Sequence, residues 1–290
     1  MLRIATALAA LIAATPALAQ TAGNTGLPDP NDRSNTVTIA AGGAYIPDYE
    51  GSNDYKFTPF GAIRGRVSGM SFFSRGTYLY LDVIRRPDHG VDFDAGPIIG
   101  IRRERTGHIK DDFVNGLPDR KTAFEVGGFA GVTFHGLTNP YDLLSFRLDV
   151  VHDIGKAHRS TVFTPNIDFG TPLSKRTYVG ASLSADFVTN RYADYYYSTE
   201  AFFSPGLAQK GGPQSIILIP IGYNAHGGMK NWKLSTLINQ SITGDLTHGL
   251  SIFGAGSYSR IVGSIARSPI VEDRGSRSQW QSAVGLAYTF

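Results

Sequence analysis

The sequence predicts an all-β fold, an antiparallel transmembrane β-barrel of about twelve strands within a range of ten to fourteen, and three observations carry that prediction. Segment after segment alternates apolar with small or polar side chains, a period of two that puts each set on its own face of a strand. No window keeps a helical period over the roughly 10–12 residues a helix requires. The chain opens on an export signal and ends on an amphipathic strand, QWQSAVGLAYTF (279–290), whose last residue is aromatic.

Taken in order, residues 1–19 read as a cleaved signal peptide. Arg3 is followed by an apolar run from Ile4 to Ala14 and by the small-x-small site Ala17-Leu18-Ala19. The run is shorter than the roughly 20 residues of a spanning helix. The chain has 0 Cys, which rules out both a lipoprotein anchor and disulfide staples. Residues 20–34, QTAGNTGLPDPNDRS, are rich in turn formers and form a flexible lead-in. Residues 35–290 show no linker and no shift of composition, so they read as one domain. The formal charge of +3 falls by one with loss of Arg3, and no basic face clusters, so nucleic acid is not a partner.

Within that domain Val37, Ile39, Ala41, Gly43 and Tyr45 alternate with threonine, alanine and glycine. The segments 91–102, 124–134 and 144–150 repeat the pattern, with Asp92, Asp94, Arg102, Arg147 and Asp149 on the polar face. Further candidate strands are 56–66, 77–84, 160–170, 176–187, 194–203, 215–225, 231–242, 249–260 and 279–290. They make an odd total, whereas a single-chain bacterial barrel takes an even number; 194–203 or 56–66 is the candidate to drop. Most segments are longer than the roughly 5–6 residues usual in sandwiches and match the roughly 9–11 that cross a bilayer. Their second face carries Gly, Ala, Ser, Thr and isolated charges, which suits a barrel lumen. Tyr45, Trp232, Tyr258, Trp280, Tyr288 and Phe290 fall near strand ends, where interfacial girdles lie. In lipid an unpaired backbone group costs several kcal/mol, so such strands must close into a barrel.

Three stretches carry a resemblance. IPDYEGSNDYKFTPFGAIRGR (46–66), SPIVEDRGSRSQW (268–280) and the terminal AYTF resemble the MipA/OmpV family of Gram-negative outer-membrane proteins, over essentially the whole mature chain. The pairing of Tyr49-Glu50-Gly51-Ser52 with the motif at Ser268–Ser276 is its most specific part. The family's commoner Gly-Asp-Ala before the second motif is replaced by Gly263-Ser264-Ile265-Ala266-Arg267. The resemblance implies an outer-membrane barrel, and for the named member a scaffold that joins a murein lytic transglycosylase to a bifunctional murein synthase. Other members are associated with adhesion, osmotic response or antibiotic entry. No catalytic residues are attributed to the family.

The residues themselves offer little chemistry. Val151–Arg159 gathers His152, Asp153 and His158 near Ser145 and Ser160, but no nucleophile elbow accompanies them. The seven His lack metal-site spacing. Asp92 and Asp94 read as lumen charges paired with Arg102 or Arg147, and Asp111-Asp112 as solvated loop residues. Gly51, Ser52 and Asn53 read as turn formers, and Pro269–Ser276 as a loop held by Asp–Arg pairing. The run Tyr195-Tyr196-Tyr197 reads as part of a membrane girdle. No catalytic, cofactor or metal residue is assigned. The expectation is a non-enzymatic scaffold for murein-remodelling enzymes, with a pore for small solutes as the alternative and a barrel hydrolase using His152 less favoured. Outer-membrane lipid surrounds it, and the barrel assembly machinery reads its C-terminal strand, so deleting Phe290 should impair assembly.

Overall fold

Alternation of this kind leaves each strand one face to bury and one to wet, and the chain resolves this by closing on itself. The computed structural model describes residues 35–84, 90–199 and 222–290; the signal peptide and lead-in expected over 1–34 lie outside them. The strands are β1 (Thr36–Pro47), β2 (Tyr55–Val67), β3 (Met70–Arg75), β4 (Tyr78–Asp82), β5 (Val91–Arg102), β6 (Ala123–His135), β7 (Leu143–Asp153), β8 (Thr161–Pro172), β9 (Thr177–Val188), β10 (Gly228–Ser241), β11 (Gly249–Ile261) and β12 (Ser278–Thr289). Each pairs antiparallel with its chain neighbour, and β1 pairs with β12 to complete the ring. Three short helices lie in the connections: α1 (Asp112–Asn115), α2 (Asn190–Tyr197) and α3 (Pro269–Glu272).

The outward faces are apolar, with Ile39, Phe57, Phe93, Leu148, Val284 and Leu286 all exposed, the surface lipid would cover. The expected girdle is present: Tyr258 packs between Trp232 (5.4 Å) and Trp280 (4.8 Å), and Tyr45 stacks on Tyr55 at 5.1 Å. At the other end Tyr288 meets Phe290 at 4.7 Å, and Phe290 N donates to Val37 O at 2.9 Å where the ring closes. Most short turns lie at this end. One is Ser68-Gly69, whose φ values of 54° and 83° suit a primed hairpin turn. The long connections 103–122, 189–227 and 262–277 leave the opposite rim, which marks it as extracellular.

Twelve strands is correct, but the list is not. The doubted segment 56–66 is β2. Of the candidate 194–203, residues 194–197 belong to the helix Asn190–Tyr197, which buries Tyr192, Ala193, Tyr196 and Tyr197, and 200–203 lie outside the described residues. The backbone there is satisfied within the helix, with Ala193 N donating to Thr189 O and Ser198 N to Asp194 O, both at 3.2 Å. Of 215–225, residues 215–221 lie outside the described residues, and the remainder forms only an isolated bridge, Thr199 to Tyr223. The candidate 77–84 proves to be β4, and its partner β3 is too short at 6 residues to show a pattern.

Candidate functional site in the lumen

The described parts of the extracellular loops fold inward and pack in the upper half of the barrel. Tyr192, Ala193, Tyr196 and Tyr197 of α2 pack with Ile265, Ile270 and Val271 around α3 and with Tyr49, Ile109 and Val114, all buried. Tyr195–Tyr197 is therefore not a lipid-facing girdle. Tyr196 and Tyr197 lie inside the barrel, while Tyr195 is partly buried against the same cluster and its hydroxyl accepts from Lys121 N at 2.9 Å.

The two loop motifs that looked separate in sequence form one junction. Ser276 N donates to Gly51 O at 2.7 Å, Gly51 N donates to Gln279 Oε1 at 3.2 Å, and Gln279 Nε2 donates to Ser52 O at 3.0 Å. Tyr49 Oη reaches Ile270 O at 2.9 Å. Arg274 pairs with Asp111 at 2.7 Å, so the second motif is clamped to another loop rather than to its own aspartate. Asp111 also accepts from Val114 N at 2.9 Å as the cap of α1; it is a structural group, not a solvated one.

Below the junction lies a cluster of charges. The β9–β10 register shifts between Met229 and Asn231, a bulge that turns both Lys230 and Asn231 inward. Lys230 Nζ lies 2.8 Å from Glu50 Oε2 and 3.1 Å from Asp186 Oδ2. Asn231 Nδ2 donates to Glu50 Oε1 at 2.8 Å, and Tyr197 Oη donates to Glu50 Oε2 at 3.0 Å. Glu50 thus ties the β1–β2 loop, α2 and the β10 wall together. Burial pushes its carboxyl up, but the Lys230 ammonium more than offsets this and holds it below the usual range. Glu104 accepts from Glu50 N at 2.7 Å, and burial, then the Glu50 charge, raises it to about 7.

A carboxyl raised in this way favours the closed plug most below its ordinary value of 4.5, and that contribution is lost as pH rises through about 7. We expect Glu104→Gln to be more stable than the parent at pH 8 by up to about 3 kcal/mol and to lose that advantage towards pH 4.5. Urea unfolding in detergent micelles across that range measures it; parallel pH profiles for the two proteins would remove Glu104 from this role.

Elsewhere along the lumen wall further charges are paired. Glu125 takes Arg102 at 3.0 Å and His158 at 2.8 Å. Arg147 lies 2.8 Å from Asp149, and Arg75 lies 3.1 Å from Asp168. Arg102 and Arg147 are lumen ion-pair residues, but their partners are Glu125, Asp149 and Asp168 rather than the expected Asp92 and Asp94. Asp92 lies 3.0 Å from His135 Nε2, and Asp94 accepts from Thr133 Oγ1 at 2.7 Å. The residues weighed for catalysis are not brought together. His152 is exposed and bonds Thr161 Oγ1 at 2.9 Å, whereas Ser145 is buried on the opposite face of β7. Among the described residues no group of three or more His, Asp or Glu is placed to hold a metal ion. Lys230, Glu104 and Arg105, whose Nη1 donates to Tyr196 O at 2.8 Å, escaped sequence reasoning; an inward bulge and contacts between distant loops leave no periodic signal.

The model of the family described as MltA-interacting protein MipA matches residues 39–290, nearly the whole described barrel. The chain belongs to the MipA family. This MipA-family protein is an outer-membrane β-barrel of a Gram-negative bacterium. No curated protein matches its sequence. Solved structures similar to this MipA-family chain include the NanC porin (9% identity, 87% of this chain and 98% of that one, TM-score 0.46). A Pseudomonas aeruginosa FadL homologue shares 11% identity over 94% of this chain and 95% of its own, with a TM-score of 0.35. An anion-selective porin from Comamonas acidovorans shares 8% identity over 89% and 99%, with a TM-score of 0.37.

Proposed function

We propose that this barrel is a non-enzymatic interaction protein that holds murein-remodelling enzymes, a lytic transglycosylase and a bifunctional synthase, at the outer membrane. The observation that carries the reading is the plug. Among the described residues, α2, α3 and the Glu50–Lys230 cluster fill the extracellular half with buried side chains and paired charges. A barrel packed in this way suits a rigid platform better than a conduit for solutes. The family's description, naming an interaction with MltA, supports the same reading. Affinity purification of the tagged protein from solubilised envelopes should enrich a lytic transglycosylase or a murein synthase over an unrelated barrel. Repeated recovery of neither sinks the partner assignment. Reconstituted in planar bilayers, the folded protein should be silent; stepwise conductance would favour the pore instead.

A further inference from the structure

Among the described residues, β2 is paired along only part of one side. That strand pairs with β1 from Tyr55 to Arg66, but with β3 only from Arg64 to Val67. The β3–β4 hairpin turns back at Gly76 and Thr77; β4 then meets β5 at Ile98–Gly100, with Ile101 N donating to Thr77 O at 3.3 Å and Val83 N to Ala95 O at 3.0 Å on either side. The last attachment between β2 and the hairpin is a side chain: Ile63 N donates to Ser74 Oγ at 2.9 Å, and Ser74 Oγ donates to Ile63 O at 3.1 Å. Lys110 Nζ takes Tyr55 O at 2.5 Å at the upper end. Between these points, among the described residues, Lys56–Ala62 has no backbone partner on that side. Pro59 lies mid-way, a residue that paired central strands exclude because it lacks an N–H.

A free strand edge in hydrocarbon costs several kcal/mol per unpaired group unless it borders a cavity. Such a cavity is present. A cleft of about 640 Å³, counting its solvent-open part, reaches Phe60, Ala62 and Ile63 of the same strand. Its walls are mainly apolar, with Phe60, Leu237, Leu246 and Phe253, and Arg64, Thr38, Thr289 and Asn239 add polar groups. Phe60 and Phe253 meet edge-on at 6.1 Å in its wall. They fit because Gly42 and Gly285, paired across β1 and β12, lack side chains: a Cβ at Gly285 would lie 2.6 Å from the Phe253 ring. The plug closes the route to the extracellular side. On the periplasmic side Leu246, buried on the β10–β11 turn, folds over the cleft, with its N–H bonded to Lys175 O at 3.0 Å.

We infer that this cleft binds a medium-chain alkyl amphiphile with a hydrogen-bond-accepting head, and that the ligand exchanges with membrane hydrocarbon through the seam beside Lys56–Ala62. Apolar walls reject strongly hydrated solutes, the hydroxyl, amide and guanidinium groups supply donors for one polar head, and the seam opens onto the phase in which such a molecule dissolves. The inference is independent of enzyme docking.

The test uses the full mature chain in lipid nanodiscs with decanoic acid carrying a photoactivatable diazirine. Adducts mapped by mass spectrometry should fall on Phe60, Leu237 and Phe253. Ala62→Phe, which fills the cleft, should lower them at least tenfold while adducts on outward Phe57 and Leu286 stay unchanged; Ala287→Phe serves if the first variant does not fold. Adducts confined to outward residues, or cleft adducts indifferent to filling, overturn the site. In the same discs, amide exchange along Lys56–Ala62 should be at least a hundredfold faster at alternate positions than along Arg64–Arg66. Uniformly slow exchange over β2 overturns the lateral route.

Discussion

Lys230→Met should weaken the plug by about 3–5 kcal/mol and turn a silent barrel into one that opens in brief steps in planar bilayers. The magnitude follows from what the substitution leaves behind. Lys230 is 1% exposed, and its ammonium is the charge between Glu50 (2.8 Å) and Asp186 (3.1 Å). Without it, two carboxylates face each other in a site that already contains Glu104. The simplest relief is for Glu50 to leave, which also releases the Tyr197 hydroxyl and with it α2. Adding Glu50→Gln to Lys230→Met should restore part of the loss, because the uncompensated charge is gone. A Lys230→Met barrel as silent and as protease-resistant as the parent would show that this cluster does not hold the plug.

Gly275→Ala should cost about 3 kcal/mol or more, although it adds one methyl group. A Cβ at that position would lie 1.8 Å from Gly51 O, a backbone atom that accepts the Ser276 hydrogen bond and cannot swing aside. The junction between the two loop motifs must therefore separate, which exposes Arg274 and Arg277 to trypsin while the strands stay paired. Gly107→Ala is the control: nothing lies within 4 Å of its Cβ position, so its effect should stay within about 0.5 kcal/mol. Equal trypsin sensitivity in the two variants, with unchanged circular dichroism in both, would contradict the proposed role of Gly275.

Much of the barrel was legible in the sequence and most of the site was not. A strand's faces are set by covalent geometry, so the alternation around Phe93, Leu148 or Leu286 needs no knowledge of its neighbours. The 8 residues of α2 make a helix too short for its period to stand out, and its tyrosines look as much like a girdle as a plug. Lys230 lies inward through a one-residue bulge that no periodicity announces. Tyr49 and Ile270, bonded to each other, are 221 residues apart.

What the sequence by itself determined is the export signal as an expectation, the β period, the apolar outer face and the aromatic terminal strand that meets β1. All are local: each follows from side chains a few positions apart and from the cost of unpaired backbone in lipid. Only the tertiary structure decided that the described loop residues pack into the upper lumen, that the two polar motifs are one junction, and that β2, among the described residues, is paired on one side for only part of its length beside an apolar cleft. These depend on which distant segments meet once the ring closes, and on how loops compensate buried charge inside it, and neither is encoded in any single stretch of the chain.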